Sequence, residues 1–418
     1  MSEEKMKEAK KEKPARKDAG KTFLEEFSKS STLVTILAII SGLILGGFLV
    51  ALTTEAVYTA PSFGQGLQVA LNAIWKTYEA LFTGAIGTPS KIIAALQSGE
   101  VEAIRRAFNP FFESLVASTP YIFAGLAVAL GFRVGLFNIG AEGQIFVGAL
   151  CAVAAGIYLK GLPHFIHVPL AMLAGALGGA VWGFIPGILK AKTGAHEVIN
   201  SIMMNYIAFR LSEFFLTGVL KDPEKYVPVS ATIEESAKLT RYFAAPIRFH
   251  SGFFIALVMA LLVYILLFKT KWGFELRTVG ANTSAAQYAG MNIVFNIVIA
   301  MSLSGALAGM AGANEVLGVN HNLAVAFSSG YGFDAIALAL IGKNHPLGVV
   351  LAALLFGFLR NGAVQMQLTA GIPIDIISIL QAFILAFIAA PAIIRTIYRL
   401  KEPDHEEAVV KLSGWGGN

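Results

Sequence analysis

GFRVGLFNIGAEGQIFVGAL, residues 131–150, decides how this chain is read. It sets Arg133, Asn138, Glu142 and Gln144 between two apolar runs, each long enough to cross a bilayer. A charge at the centre of a membrane helix costs roughly 2.5–3.5 kcal/mol on insertion scales, so such groups face a protein interior or a solute path. Gly135, Gly140 and Gly143 fit a non-helical break, which is tolerated at that depth only where protein or water satisfies the backbone. The stretch points to a membrane protein with a polar break, and to a component of a transporter.

Composition agrees. Of 418 residues 56% are hydrophobic and only 14% are charged, against about 25% charged in soluble domains. Mean hydropathy is +0.66, and the 42 glycines suit close approach of membrane helices. A single cysteine, Cys151, excludes an internal disulfide framework. Nine of the 32 Lys and Arg fall in residues 1–31 together with seven acids, which reads as a charged cytoplasmic tail. Its acids nearly cancel its bases, which argues against a nucleic-acid arm. Thr32–Leu52 is longer than the core of a signal peptide and suits a span.

Apolar runs predict about ten spans, near 32–52, 113–133, 143–159, 166–188, 198–220, 251–268, 293–313, 333–342, 346–362 and 373–396. The eighth is too short to cross alone and reads as a half-helix, preceded by a re-entrant segment across Asn314–Tyr331. The fold class is thus an all-α polytopic membrane protein with broken or re-entrant segments. A five-and-five split would give halves of opposite orientation, the arithmetic of an inverted repeat, although no self-similarity shows. The excess of Lys and Arg places both termini in the cytoplasm. The membrane region then runs over 32–396, with an extracytoplasmic loop at 53–112, a cytoplasmic loop at 269–292 and a cytoplasmic tail at 397–418. Within the first loop, Leu71–Phe82 and Ile92–Phe108 are amphipathic and suit an interfacial or capping helix.

Gly175, Gly179, Gly183 and Gly187 recur every four residues in one span, and Gly305 and Gly309 do so in another. Such ridges predict close helix packing, within the chain or against a second copy. Gly20-Lys21-Thr22 lacks the first glycine of a phosphate loop, and Asn200 stands where a zinc-protease helix opened by His196-Glu197 needs its second His. No catalytic set, metal site or cofactor is expected.

The polar residues within or beside the spans are the candidates for a solute path: Asn138, Glu142, Gln144, Asn200, Asn205, Asn314, Glu315 and Asp334. The amides offer both donors and acceptors, which suits an uncharged polar solute. Asn200 and Asn205 have a second reading as bonds to neighbouring helices. Glu142 has one as a buried anchor paired with Arg133, and Asp334 has no evident partner in the sequence. Arg210 and Glu213, three apart, are expected to pair on one helix face.

FNIGAEGQ at 137–144, LRTVGANTSAAQYAGMN at 276–292, LSGALAGMAGANEVLG at 303–318 and GYGFDAIALALIGKNHPLG at 330–348 resemble permease subunits of ATP-binding-cassette importers. The resemblance is to the branch handling ribose-type sugars, branched-chain amino acids and nucleosides, and NIGAEGQ is most similar to the nucleoside permeases. It implies a bacterial plasma (inner) membrane protein that is no enzyme. Its partners would be a cytoplasmic ATP-binding subunit, a second, different permease forming a heterodimer, an extracytoplasmic solute-binding lipoprotein and the lipid bilayer, with no nucleic acid. The resemblance also implies that the 269–292 loop is a coupling loop docking on the ATPase through Arg277, Gly280, Ser284, Ala285, Ala286 and Gly290. Ser284 stands where the general importer pattern has Glu. Two alternatives remain at this level: an ion-gradient-driven secondary transporter, and an importer permease for ribose-type sugars.

Overall fold

The computed structural model describes residues 31–373 and 375–400. The expected charged tail before residue 31 and the end of the chain after residue 400 lie outside the described residues. The chain divides into two units, residues 31–45 with 382–400 and residues 46–381.

All ten predicted segments are helical. Seven helices are long and apolar enough to cross a membrane: α1 Ser31–Thr53, α4 Val101–Arg133, α5 Ala141–Tyr158, α6 His164–Thr193, α8 Gly252–Lys269, α11 Ile293–Asn314 with its continuation to Asn320, and α13 Pro346–Ala370. A bent pair, α14 Asp375–Ala389 and α15 Pro391–Ile397, has an 87° break and is either a broken span, which would be the eighth, or a re-entrant loop. Pro391 accounts for it, because its ring disfavours helical backbone at the preceding residue, and Ala390 sits at φ −119°, ψ 67°. The other two segments are α7 Glu197–Thr217, which is more polar, and α12 Tyr331–Ile341, the predicted half-helix. At 1.5 Å per residue α12 is roughly 17 Å long, about half of a hydrocarbon core.

In the smaller unit Val34, Ala38 and Ile394 form the core, and the Ser41 and Tyr398 hydroxyls hydrogen-bond at 3.0 Å. The larger unit is built around α4. Its residues 118–131 are buried on every face, as expected of a central helix that is apolar all round. Helix α13 lies along α4, with Gly357 against the Ser118 backbone and Gly125 against Val349.

Both glycine ridges find their partner inside the chain, and it is each other. Gly175, Gly179 and Gly183 of α6 face Met301, Gly305 and Gly309 of α11 so closely that a Cβ on Gly179 would meet the Gly305 carbonyl and one on Gly305 the Gly179 carbonyl.

Residues 53–112, expected as an extracytoplasmic loop with amphipathic stretches, are largely helical. Leu71–Phe82 is part of a 24-residue helix, α2 Phe63–Ile86, that packs along α13, with Gly84 against the Gln365 side chain and Gly362 against the Leu81 carbonyl. Ile92–Phe108 is divided between α3 Pro89–Ser98 and the start of α4. These glycine contacts hold α2 alongside a spanning helix, so it is neither an isolated surface helix nor a loop.

Candidate functional site

The break opens where α4 ends at Arg133. Gly135 takes φ +73°, the chain runs without helix to Gly140, and α5 begins at Ala141. Polar side chains close this break. Asn138 donates from Nδ2 to Gln144 Oε1 at 2.9 Å and to Ser304 Oγ at 2.7 Å, Gln144 returns a bond to Asn138 Oδ1 at 3.2 Å, and the Ser304 hydroxyl donates to the Ala127 carbonyl. Asn205, on α7, accepts from Gly143 N at 2.8 Å and donates to the Ile139 carbonyl at 3.0 Å. Asn138, Gln144 and Asn205 are at most 2% exposed. Predicted as path residues, they are turned toward each other and the backbone, because a break buried in protein must have its amide and carbonyl groups answered. Asn200, in the first turn of α7, joins no such network, and its Nδ2 has no hydrogen-bond partner. Arg210 and Glu213 pair at 2.7 Å as expected.

Glu142 is also buried, but its partner is not Arg133. Its Oε1 accepts from the Ser328 hydroxyl at 2.5 Å and its Oε2 from Gly332 N at 2.6 Å. The carboxylate thus caps the first turn of α12, where free backbone N–H groups and the helix dipole favour negative charge. Arg133 lies at the other end of the break. It donates to the Asn344 carbonyl at 2.8 Å and stacks over the Phe268 ring at 5.5 Å.

Asp334, one turn into α12, has partners the sequence reading missed. Tyr121 of α4 donates to Asp334 Oδ2 at 2.9 Å. Arg360 of α13 reaches that oxygen at 3.6 Å, donates to the Tyr121 hydroxyl at 2.8 Å and lies over the Tyr331 ring at 5.8 Å. An arginine inside the apolar run 346–362 was the available signal, since such a charge needs a counter-charge.

The segment from Asn314 to Tyr331 behaves differently. Helix α11 passes into one π-helical turn, Glu315–Asn320, a rare geometry frequent at functional sites. The segment 221–250 lies over the turn and the residues after it: Leu239 N donates to the Leu317 carbonyl, Ile233 N to His321 and Ser230 N to Leu323. Asn314 is 0% exposed, yet neither atom of its amide has a partner; His250 Nε2 shares that condition. The backbone N–H of Gly252 uses the other ring nitrogen of His250, and Arg241 donates to Nε2 of His321 at 2.9 Å. Burial, followed by the Arg241 charge, holds both histidines down at about 4. Glu315 is buried in the same turn, where the charges of Arg248 and Arg360 act on it. Arg248 is fixed by Glu113 of α4, its Nε donating to Oε2 at 3.0 Å and its backbone N–H to Oε1 at 3.1 Å. The sequence reading missed this clamp too.

At the opposite ends of α8 and α11, the polar loop folds into α9 Lys271–Ala281 and α10 Thr283–Tyr288, joined at Asn282, which caps α10 by accepting from Ala285 N at 2.9 Å. Ala286 is fully buried, whereas Ser284, Ala285 and Gly290 are exposed, and Tyr288 is 96% exposed. Arg277 stacks over Phe268 at 5.2 Å, on the ring that also carries Arg133. Gly280 sits on the break itself: a Cβ there would lie 2.5 Å from the Arg133 carbonyl oxygen and 2.8 Å from Gly135 N. One of the predicted coupling residues, Gly280, is therefore in direct backbone contact with the polar break.

Residues 111–389 match the family described as branched-chain amino acid transport system, permease component. The chain belongs to this family. Among its relatives is the guanosine ABC transporter permease protein NupP of Bacillus subtilis, 47% identical over 68% of this chain and 82% of the relative. The nucleoside ABC transporter permease protein NupB of Lactococcus lactis is 32% identical over 87% and 92%, and the glucose ABC transporter permease protein TsgB13 of Haloferax volcanii 33% over 73% and 87%. No solved structure matches. As an ABC permease the chain is a multi-pass membrane component and not an enzyme, and its partners are an ATP-binding subunit and a solute-binding protein. Family membership removes the ion-gradient alternative.

Proposed function

We propose that this permease moves nucleosides across a bacterial plasma membrane, with both termini in the cytoplasm and a second, related permease completing the core. The observation that carries the solute class is the 47% identity to a guanosine permease over 68% of the chain. The site chemistry supports it. A nucleoside presents ribose hydroxyls and base-edge donors and acceptors, and the unanswered amide of Asn314 offers both capacities. Next to it in the turn is Glu315, on which the Arg360 charge acts, and Arg360 belongs with Tyr121 and Asp334 to a network that can re-partner with hydroxyls. Asn138, Gln144 and Asn205 belong to the frame of this path in our reading, and Asn200 to its opposite end.

In the mechanism, ATP-driven closure of the ATPases moves α9 and α10, docked through Tyr288 and the exposed residues 284–285. Gly280 passes that movement to Arg133–Gly135 by backbone contact. The break carries it to Glu142 and the first turn of α12, and so to the path. Nucleotide binds the closed ATPase state more tightly, and that difference supplies the bias.

Uptake by vesicles holding the assembled importer tests the solute class, with guanosine and adenosine run beside ribose, glucose and leucine. Saturable guanosine uptake unaffected by excess leucine is the expected result. Glucose or ribose uptake without nucleoside uptake would move the assignment to sugars, the reading that the 33% identity to a glucose permease favours.

A further inference from the structure

A second polar site lies away from the path, in a cleft of about 580 Å³. Its walls are the end of α1 with the turn after it, the middle of α2 and the end of α13. That volume falls within the roughly 300–1,000 Å³ of small-molecule sites. We propose that this cleft binds the headgroup of a phosphatidylethanolamine lipid.

The cleft lies where apolar sequence gives way to polar. The α1 run ends in LVALTTE at 49–55 and the α13 run in QLTAGIP at 367–373, so two helix ends reach the water boundary together. Trp75, 71% exposed, stands beside Lys76 in the cleft wall, and this pair of residue types is enriched at membrane interfaces. Phe63, Leu67, Leu71 and Trp75 recur every four residues as an exposed apolar stripe on α2, a surface for acyl chains next to the polar cleft.

The polar groups select the headgroup. Lys76 and Glu55 both line the cleft, and neither is in an ion pair among the described residues. A ligand carrying both signs suits them: phosphate for Lys76 and Asn72, a cation for Glu55. The Thr53, Thr54 and Thr369 hydroxyls donate to carbonyls of their own helices, so on the cleft side their oxygens can only accept. A primary ammonium supplies three N–H donors to that acceptor-rich wall. A quaternary choline supplies none, and phosphatidylglycerol brings no cation to Glu55.

The inference requires a membrane protein but no particular solute, so it survives or fails separately from the nucleoside assignment. Native mass spectrometry of the whole permease, released from micelles with equal amounts of phosphatidylethanolamine, phosphatidylcholine and phosphatidylglycerol, tests it. Phosphatidylethanolamine adducts should exceed either competitor by about tenfold, the scale of one charge-assisted hydrogen bond. Lys76→Met should lower those adducts about tenfold, and Glu55→Gln should bring them down to the choline-lipid level. Equal retention of the three lipids by the unaltered protein would overturn the proposal without any variant. Displacement of bound lipid by soluble O-phosphoethanolamine as effectively as by the lipid would overturn it too, by giving the site to a soluble ligand.

Discussion

The break at 134–144 and the turn at 314–321 hold equally buried polar side chains and treat them in opposite ways. Around the break, Asn138, Gln144, Ser304 and Asn205 answer one another and the backbone. Around the turn, both amide atoms of Asn314 and Nε2 of His250 are left unanswered. An unmade bond at a buried polar atom costs about 1–3 kcal/mol. A region carrying several of them is not arranged for stability alone. The difference separates a joint saturated by its own chain from the turn where, in our proposal, solute completes the bonding.

The harshest way to break this comparison is Asn138→Leu. It strips Gln144 and Ser304 of a buried partner and should cost on the order of 3 kcal/mol or more. The variant should fail to accumulate in membranes; wild-type abundance with slowed uptake would return Asn138 to the solute path. Gly280→Ala comes next, because its methyl must displace the Arg133–Gly135 backbone. The protein should accumulate and still pull down the ATPase, with nucleoside uptake reduced at least about tenfold. Unimpaired uptake would sever the link between coupling loop and break.

Asn314→Ala sharpens the contrast from the other side. With no internal bond to lose, its thermal midpoint should hold while uptake falls about tenfold, the worth of one lost polar contact. A large loss of stability would show that Asn314 is a joint as well. The smallest effect concerns pH. His250 and His321 are held at about 4 in the fold against an ordinary 6.5, so below 6.5 the unfolded chain takes up protons that the fold refuses. Stability of the 221–250 segment should be flat above that value, decline as pH falls toward 4, and then level off. Hydrogen exchange over residues 221–250, corrected for intrinsic rate, should be faster near pH 5 than near pH 7. Equal protection at both would mean that neither ring matters to the clamp.

Helix positions were legible because apolar length is a property of contiguous residues, and every predicted span coincides with a helix. The glycine ridges were legible too, since a four-residue repeat marks a helix face, although only the structure paired α6 with α11. The buried polar side chains were legible by residue type and not by partner. Asn138 meets a serine 166 positions away, and Glu142 meets Ser328 and Gly332 rather than nearby Arg133. Asp334 had a counter-charge all along in Arg360, but nothing local links α12 to α13 at that point. Spacing along the chain also could not distinguish an amide that closes a break, as Asn138 does, from one left without a partner, as Asn314 is. For the same reason the place of α2 was missed: its seat depends on Gly84 and Gly362, 278 positions apart.

The seam of α6 and α11 touches backbone to backbone through glycines. A surface that bends must let side chains change rotamer, and glycine has none to change. The seam is therefore a beam and not a hinge: whatever rocks during transport, these two helices travel together, and the plane of motion lies elsewhere in the bundle.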